Sequence, residues 1–448
     1  MLAPSVSCPA LLVAAPASGQ GKTTLTAALA RLASRRGLRV RVFKCGPDFL
    51  DPQWLALASG HPVHNVDLWM TGEPDVRQRL YAAAQQSDLI LVEGVMGLFD
   101  GQPSAADLAQ RWGLPVLAVM DASATSDTLA ALAYGLRHYR PGLPWAGVLA
   151  NRVGSARHGE MVAQSLGEGF LGAVLRDAGP PLPERHLGLL QAAELPDALS
   201  RLDAWADALE ATPLGQFSAV DWQRYAVDFP APESSGEPSD DAALRPLAGR
   251  RVAVARDAAF SFIYPANLET LTQLGATLAF FSPLADDPVP PADAVWLPGG
   301  YPELHAAALS AATRCAQSLR DHVDAGRPLW AECGGMMPLF DTLIDKAGQS
   351  HALWGLLPGA VMMQARLAAL GPQQWSPDGR VAPLRGHTFH YSRCETALPP
   401  LDHAQAMRGG LASPGEAVYG RQRLRASYFH AWMPSSPEAV ALLLGVQA

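Results

Sequence analysis

Short apolar runs recur along the first half of the chain: ALLVAA ending at Ala15, RVRVF ending at Phe43, DLILVEG around Glu93, LPVLAVMD ending at Asp121 and WAGVLAN ending at Asn151. Each is too short for a buried helix, and segments of helical period separate them. The alternation predicts strands buried on both faces, as in a parallel α/β sheet covered by helices. A second series begins at Arg251, with RVAVARD, ATLAFF, DAVWLPGG, RPLWAECGG and RASYFHAW, and closes with a helix in PEAVALLLG. Between the two series, residues 229–249 (FPAPESSGEPSDDAALRPLAG) are rich in Pro, Ser, Gly and acid and lack periodicity. The pattern predicts two α/β domains, 1–228 and 250–448, each with a mainly parallel sheet flanked by helices, joined by a linker over 229–249. No internal repeat relates the halves, so the chain is not a duplication.

Composition narrows the classes. With 448 residues, 49% hydrophobic and 17% charged, the chain has ample core for two globular domains. A net charge of -8 without basic runs argues against nucleic acid or an anionic membrane as partner. No apolar stretch approaches the ~18 residues of a membrane-spanning helix. The opening MLAPSVSCPALLVAAPA has no Lys or Arg before its apolar run, so it reads as a first strand rather than a secretory signal. Five scattered cysteines without metal spacing indicate neither disulfides nor zinc and fit a reducing cytoplasm. Only three of the 34 basic residues are lysine: Lys22, Lys44 and Lys346. Where any cation would serve, the chain carries Arg, so a retained Lys marks a place for a compact point charge.

Two of those lysines fall in motifs. VAAPASGQGKTTL, Val13 to Leu25, has the strand, glycine turn and helix start of a phosphate loop, although Pro16 stands where the first glycine of that loop belongs. Gly19 and Gly21 supply the turn, backbone N–H groups and the helix N-terminus face one point, Lys22 reaches for outer phosphates, and Thr23 offers a hydroxyl to Mg²⁺. Past the next strands, FKCGPDFLDP and LILVEGVMGLFDG place Asp48, Asp51, Glu93 and Asp100 at carboxyl ends, where open α/β sheets bind ligands. Glu93, directly after four apolar residues, is expensive to bury unpaired and suits a metal ion.

In the second half, PLWAECGGMMPLF reads as strand, sharp turn and helix with Cys333 at the apex. That is the layout of a nucleophile elbow, in which the N–H of Gly334 stabilises an oxyanion and the helix N-terminus lowers the thiol pKa. His430 in SYFHAW is the candidate base, and Gly299–Gly300 in WLPGGYPEL offers the second oxyanion donor through Gly300. His387 and His390 in RGHTFHYS are equally consistent with function and with packing.

Read together, the halves resemble known families. The first is similar to dethiobiotin-synthetase-like ATPases of the P-loop type, the second to class I glutamine amidotransferases. The combination of GPDFLDP, NVDLWM, EGVMGLFDG, ANRVGS and LPERHLGL resembles the cobyrinic acid and hydrogenobyrinic acid a,c-diamide synthase family over nearly the whole chain. The resemblance implies that Cys333, assisted by His430, releases ammonia from glutamine. It also implies that ATP·Mg²⁺ activates a corrinoid carboxylate near Asp48, Glu93 and Asp100. Within the loop, Gly19, Gly21, Lys22, Thr23 and Thr24 would hold ATP, Asn151 matches the position that meets adenine, and Thr23, Asp48 and Glu93 are the metal candidates. Partners so implied are a corrinoid polycarboxylate, L-glutamine and ATP, and a homodimer is compatible. Arg152 and Arg185, inside matching motifs, are candidates to meet the polycarboxylate.

Three positions depart from the family pattern: Phe49 for Tyr, Thr388 for Glu, and Trp432 two residues after the base, where many class I enzymes carry a Glu that orients it. The last leaves no carboxylate to orient His430 from the usual place. Sister readings are cobyric acid synthase, which GPDFLDP disfavours, and the nickel-sirohydrochlorin diamide synthase. A regulatory ATPase of the partitioning type would have no use for a Cys333 and His430 pair.

Overall fold

A computed structural model describes residues 4–185, 188–232, 245–408 and 411–445. The chain divides into two compact units, Met1–Ser234 and Ser235–Ala448.

The first unit is built on seven parallel strands: β1 (Ser5–Ala14), β2 (Val40–Cys45), β3 (His64–Val66), β4 (Leu89–Glu93), β5 (Val116–Asp121), β6 (Trp145–Val153) and β7 (Phe170–Leu175), in the order β3-β2-β4-β1-β5-β6-β7. Period-two alternation explains why β1 lies in the middle. Leu11 and Val13 belong to the apolar cluster on one face, while Ala10, Leu12 and Ala14 belong to the cluster on the other. Both faces are covered, as the continuous apolar runs require. The helix α1 (Lys22–Arg35) lies on the first face and is tied to the helix Ala198–Glu210 by Arg31, whose Nε is 2.7 Å from Asp203 Oδ1. Since β1 is central, the loop after it emerges between the ends of β4 and β5.

In the second unit the strands Thr277–Phe281, Arg251–Ala255, Ala294–Leu297, Leu329–Glu332 and Leu424–Ser427 are parallel neighbours in that order. The sheet continues into an antiparallel ladder, Leu411–Arg421, Asp402–Arg408, Ala369–Trp375, Leu384–His390 and His430–Trp432, which the apolar runs did not signal. RASYFHAW, expected as one strand, is two. Only Tyr428 and Phe429 separate Leu424–Ser427 from His430–Trp432, yet these strands stand at opposite ends of the ladder. Two residues span at most ~10 Å, so the ladder must curl back on itself and bring His430 close to the end of Leu329–Glu332.

The linker expected at 229–249 is shorter at both ends. Phe229 and Pro230 belong to the strand Ala226–Pro230, which pairs antiparallel with Ser5–Pro9 of β1. Leu247 is fully buried in the second unit's core. Residues 233–244 lie outside the described residues. No helix among the described residues is long and apolar enough to cross a membrane.

Candidate active sites

The phosphate loop leaves β1 at Ala14 and turns through Gly19 (φ 77°) and Gly21 (φ 91°), left-handed conformations that favour glycine. Gly21 is also sterically required, because a Cβ there would stand 2.3 Å from Asn151 Nδ2. Asn151 braces the loop: its Nδ2 donates to Gln20 O at 2.9 Å and its Oδ1 accepts from Arg152 N. Gln20 Oε1 in turn accepts from Asp121 N at 2.8 Å. Lys22 Nζ donates to Met96 O at 2.6 Å and to Ala17 O at 3.2 Å, so the ammonium is held at the loop's mouth. Burial and the nearby Lys44 lower its pKa. Thr24 is half-buried on the first turn of α1.

Beside the loop lies a buried ionic cluster. Lys44 Nζ is 2.7 Å from Glu93 Oε1 and 2.7 Å from Asp51 Oδ2. Thr23 Oγ1 also donates to Glu93 Oε1 at 2.7 Å. Burial alone would push the Lys44 ammonium down, but Asp51, Glu93 and Asp48 outweigh it and hold the pKa well above the usual lysine range. Burial pushes Glu93 up, and Lys44 opposes this. Asp48 is pushed up to about 7 by burial and then by Asp51. Asp51 is held low, Lys44 overcoming the effect of its burial. Lys44 and Asp51, which the sequence placed near the site without a catalytic or metal role, are thus members of this cluster. The signal was the retained lysine in an arginine-rich chain.

These residues fit a hydrated Mg²⁺. Glu93 Oε2 is buried without a hydrogen-bond partner, and Thr23 supplies a hydroxyl oxygen next to it. Among the described residues no three acidic, imidazole or thiol groups form a ready-made cage. Mg²⁺ does not need one, since it takes one or two carboxylates with waters and phosphates.

Two first-unit candidates are partly committed elsewhere. Asp48 Oδ1 accepts from Leu50 N at 2.8 Å and Asp51 N at 3.0 Å, closing the turn that opens the helix Asp51–Ser59. Asp100 does not join the carboxylate cluster. It is exposed, and its Oδ2 accepts from Gly97 N at 2.8 Å to close a turn where a Cβ on Gly97 would meet Pro16 O at 2.6 Å. Sequence spacing could not separate Asp100 from Glu93, because both follow the same strand. Arg152, in the left-handed region at φ 58°, pairs with Asp121 at 2.7 Å. Arg185 contributes only backbone to the description, and His186 and Leu187 lie outside the described residues. Phe49 is half-buried.

In the second unit Cys333 stands at φ 45°, a left-handed conformation that costs a non-glycine residue about 1–2 kcal/mol and marks an elbow. Gly334 and Gly335 allow it. A Cβ on Gly335 would meet Leu297 O at 2.2 Å, and one on Gly334 would stand 2.8 Å from Gly300 N. The latter Cβ would also stand 2.5 Å from Gly300 O, so the backbones of Gly300 and Gly334 are in contact.

The expectation for the thiol is corrected. Burial pushes Cys333 far above the ordinary thiol range, with Gly334 N–H opposing and Glu303, Glu416 and Glu332 adding to the rise. The following segment Cys333–Leu339 is a 3₁₀ helix that contains Pro338, not an α-helix with a strong terminal field. A nucleophile buried in this way calls for a base to take its proton.

His430 is buried. It is the register partner of His387, and the two rings stack with centroids 4.9 Å apart and planes 13° from parallel. Burial and His430 push His387 well below the usual histidine range, which keeps that ring neutral. Gly299 is the other wall, since a Cβ there would stand 2.4 Å from His430 Cε1. Position 432 offers the base no carboxylate, as expected, but one faces it from the residue before the nucleophile. Glu332 Oε2 is 3.8 Å from His430 Nδ1, and Glu332 Oε1 accepts from Trp330 Nε1 at 2.6 Å. Trp432 packs edge-on against Tyr264. Thr388, the other departure, donates to Glu416 Oε1 at 2.9 Å, and the same oxygen is 3.0 Å from His390 Nε2. Glu416 stands on the strand Leu411–Arg421. Glu416, His390 and Tyr428 line a cavity of about 440 Å³.

Residues 11–187 match the CobQ/CobB/MinD/ParA nucleotide binding domain, and residues 251–437 match the CobB/CobQ-like glutamine amidotransferase domain. A hydrogenobyrinate a,c-diamide synthase of Stutzerimonas stutzeri is 54% identical, covering 98% of this chain and 99% of its own. One from Pseudomonas aeruginosa is 53% identical over 98% of this chain and 97% of its own. A cobyrinate a,c-diamide synthase of Herminiimonas arsenicoxydans is 47% identical over 98% of both chains. With a nucleotide-binding half, an amidotransferase half and this full-length likeness, the chain belongs to the hydrogenobyrinate and cobyrinate a,c-diamide synthase family.

Proposed function

We propose that the chain is a glutamine-dependent ligase that uses ATP to amidate the a and c acetate carboxylates of hydrogenobyrinic acid, with cobyrinic acid the second reading. Two full-length relatives above 50% identity carry the hydrogenobyrinate name, and one at 47% carries the cobyrinate name. The observation that supports this reading best is a pair of separate centres in one chain, a phosphate loop beside a buried Lys44–Glu93 cluster and a left-handed Cys333 beside Gly300.

In the glutaminase half-reaction, Cys333 Sγ attacks the side-chain amide carbon of glutamine while His430 takes the thiol proton. Gly300 and Gly334 N–H groups receive the oxyanion. The C–N bond then breaks, His430 returns the proton to the leaving nitrogen, and ammonia departs. Water cleaves the thioester to glutamate through the same oxyanion geometry.

In the ligase half-reaction, Gly19, Gly21, Lys22, Thr23 and Thr24 hold the nucleotide phosphates. A carboxylate oxygen of the corrinoid attacks the γ-phosphorus, giving an acyl phosphate and ADP. Ammonia then displaces phosphate and forms the amide. When bound, Mg²⁺ on Thr23, Glu93 and Asp48 would supply charge neutralisation at the β- and γ-phosphates. Lys44 pairs with both Glu93 and Asp51 beside the loop. Asn151 fixes the loop through Gln20 O and stands at the position that matches the one meeting adenine.

The test is product mass after incubation with ATP, Mg²⁺ and glutamine, with hydrogenobyrinic and cobyrinic acids in parallel. Two amide groups on the first substrate are expected. No amidation of either would overturn the reading.

A further inference from the structure

Glu332 ends the strand Leu329–Glu332, one position before Cys333, and is only 1% exposed. A carboxyl group in such a place must be bonded or neutralised. One oxygen is fixed, since Trp330 Nε1 donates to Oε1 at 2.6 Å. With that anchor the other oxygen points at His430, Oε2 to Nδ1 3.8 Å. The imidazole is confined on its remaining sides by the stacked His387 ring, by Phe262 with centroids 6.2 Å apart, and by the bare Cα of Gly299. Rotation of the ring away from Glu332 is therefore obstructed.

We propose that Glu332 is the positioning residue of the glutaminase centre. Its carboxylate fixes His430 as the Nδ1–H tautomer and stabilises the imidazolium formed when the Cys333 proton moves to Nε2. The role is that of the third member of a nucleophile–base–carboxylate set, supplied here from the residue preceding the nucleophile instead of two residues after the base. A gap of 3.8 Å is about 1 Å beyond a hydrogen bond. Catalytic hydrogen bonds commonly shorten when substrate binds. The inference rests on Cys333 and His430 as the glutaminase pair. The titratable groups facing His430 are Glu332 from its strand and His387 from Leu384–His390.

Glu332→Gln keeps the shape and the acceptor for Trp330 while removing the charge. Glutaminase kcat is expected to fall by about 100-fold or more, with KM for glutamine within about 2-fold and ammonium-driven amidation unchanged. In a His430→Asn background the same substitution should change the residual glutaminase by less than about 2-fold, because a residue that acts through His430 has nothing left to position. Equal losses in both backgrounds, or an unchanged kcat in the first, would overturn the proposal. If Glu332→Gln disturbs folding, Trp330→Phe releases the Oε1 anchor and keeps the charge. It should then lower kcat several-fold at constant KM, and an unchanged kcat there is equally contrary. Full glutaminase in His430→Asn itself would instead reject the underlying assignment of the base.

Discussion

Lys44 Nζ lies 2.7 Å from Glu93 Oε1, and the two side chains are 3% and 0% exposed. With Asp51 on the other side, this cation is what permits two carboxylates in the interior of the first unit. Removing one partner of a buried pair costs about 3–5 kcal/mol, because an uncompensated charge stays behind. Lys44→Met should destabilise the first unit by that amount in urea unfolding at pH 7. A loss under about 1 kcal/mol would show that water reaches the cluster.

Gly299→Ala tests the second centre from the other side of the base. The added methyl would stand 2.4 Å from His430 Cε1, so the ring must move off its present position. Misplacing a catalytic group by 1 Å is worth about 100-fold in rate. Glutamine-driven amidation should fall by about that factor, while ammonium-driven amidation in the same variant stays at the wild-type rate. Comparable loss of both would show general misfolding.

The thiol direction yields a labelling prediction. Since burial pushes Cys333 well up, iodoacetamide should modify it slowly at neutral pH, and the rate should climb as pH passes the ordinary thiol range. A glutamine analogue that reacts at the centre should label it readily at neutral pH, because His430 then takes the proton. Fast iodoacetamide labelling near pH 6 would contradict a protonated resting nucleophile.

Arg31 and Asp203 join α1 to the helix Ala198–Glu210, with Nε–Oδ1 at 2.7 Å and Nη2–Oδ2 at 3.2 Å. The hydrogen bonds from Arg31 hold the Asp203 pKa down. A lowered carboxylate contributes stability above the unfolded-state value of about 4 and loses it as pH falls through the folded value. The two side chains are 24% and 35% exposed, so the pair's worth is limited to roughly 1 kcal/mol. Asp203→Asn should cost about that at pH 7 by thermal unfolding, and the difference should shrink as pH drops below about 4. A difference that persists at low pH would assign the effect to packing.

Much of this was legible in the sequence because it depends on local pattern. The run from Ala10 to Ala15 could only be a strand buried on both faces, and Leu11 and Leu12 do point to opposite apolar clusters. Glycine spacing gave the phosphate loop, since Gly19 and Gly21 need left-handed backbone. The Glu332–His430 relation was hidden because it joins residues far apart in sequence through the curl of an antiparallel ladder. Its one local sign was a carboxylate inside the apolar LWAE strand. The ladder itself was missed because half-exposed strands such as Ala369–Trp375 carry Gly and Pro and show no apolar run. Asp100 and Glu93 looked alike for the opposite reason. Spacing gave their position after a strand but not the turn that takes Asp100 to the surface.

The central claim is that glutamine chemistry at Cys333 and ATP-driven amidation at Lys22 are separate reactions that meet through ammonia. Amide formation on the corrinoid should be measured in Cys333→Ala and Lys22→Ala, each with glutamine and with ammonium as nitrogen source. Cys333→Ala should give no product from glutamine and wild-type product from ammonium, and Lys22→Ala should give none from either. Product from glutamine in Cys333→Ala, or from ammonium in Lys22→Ala, would contradict the account.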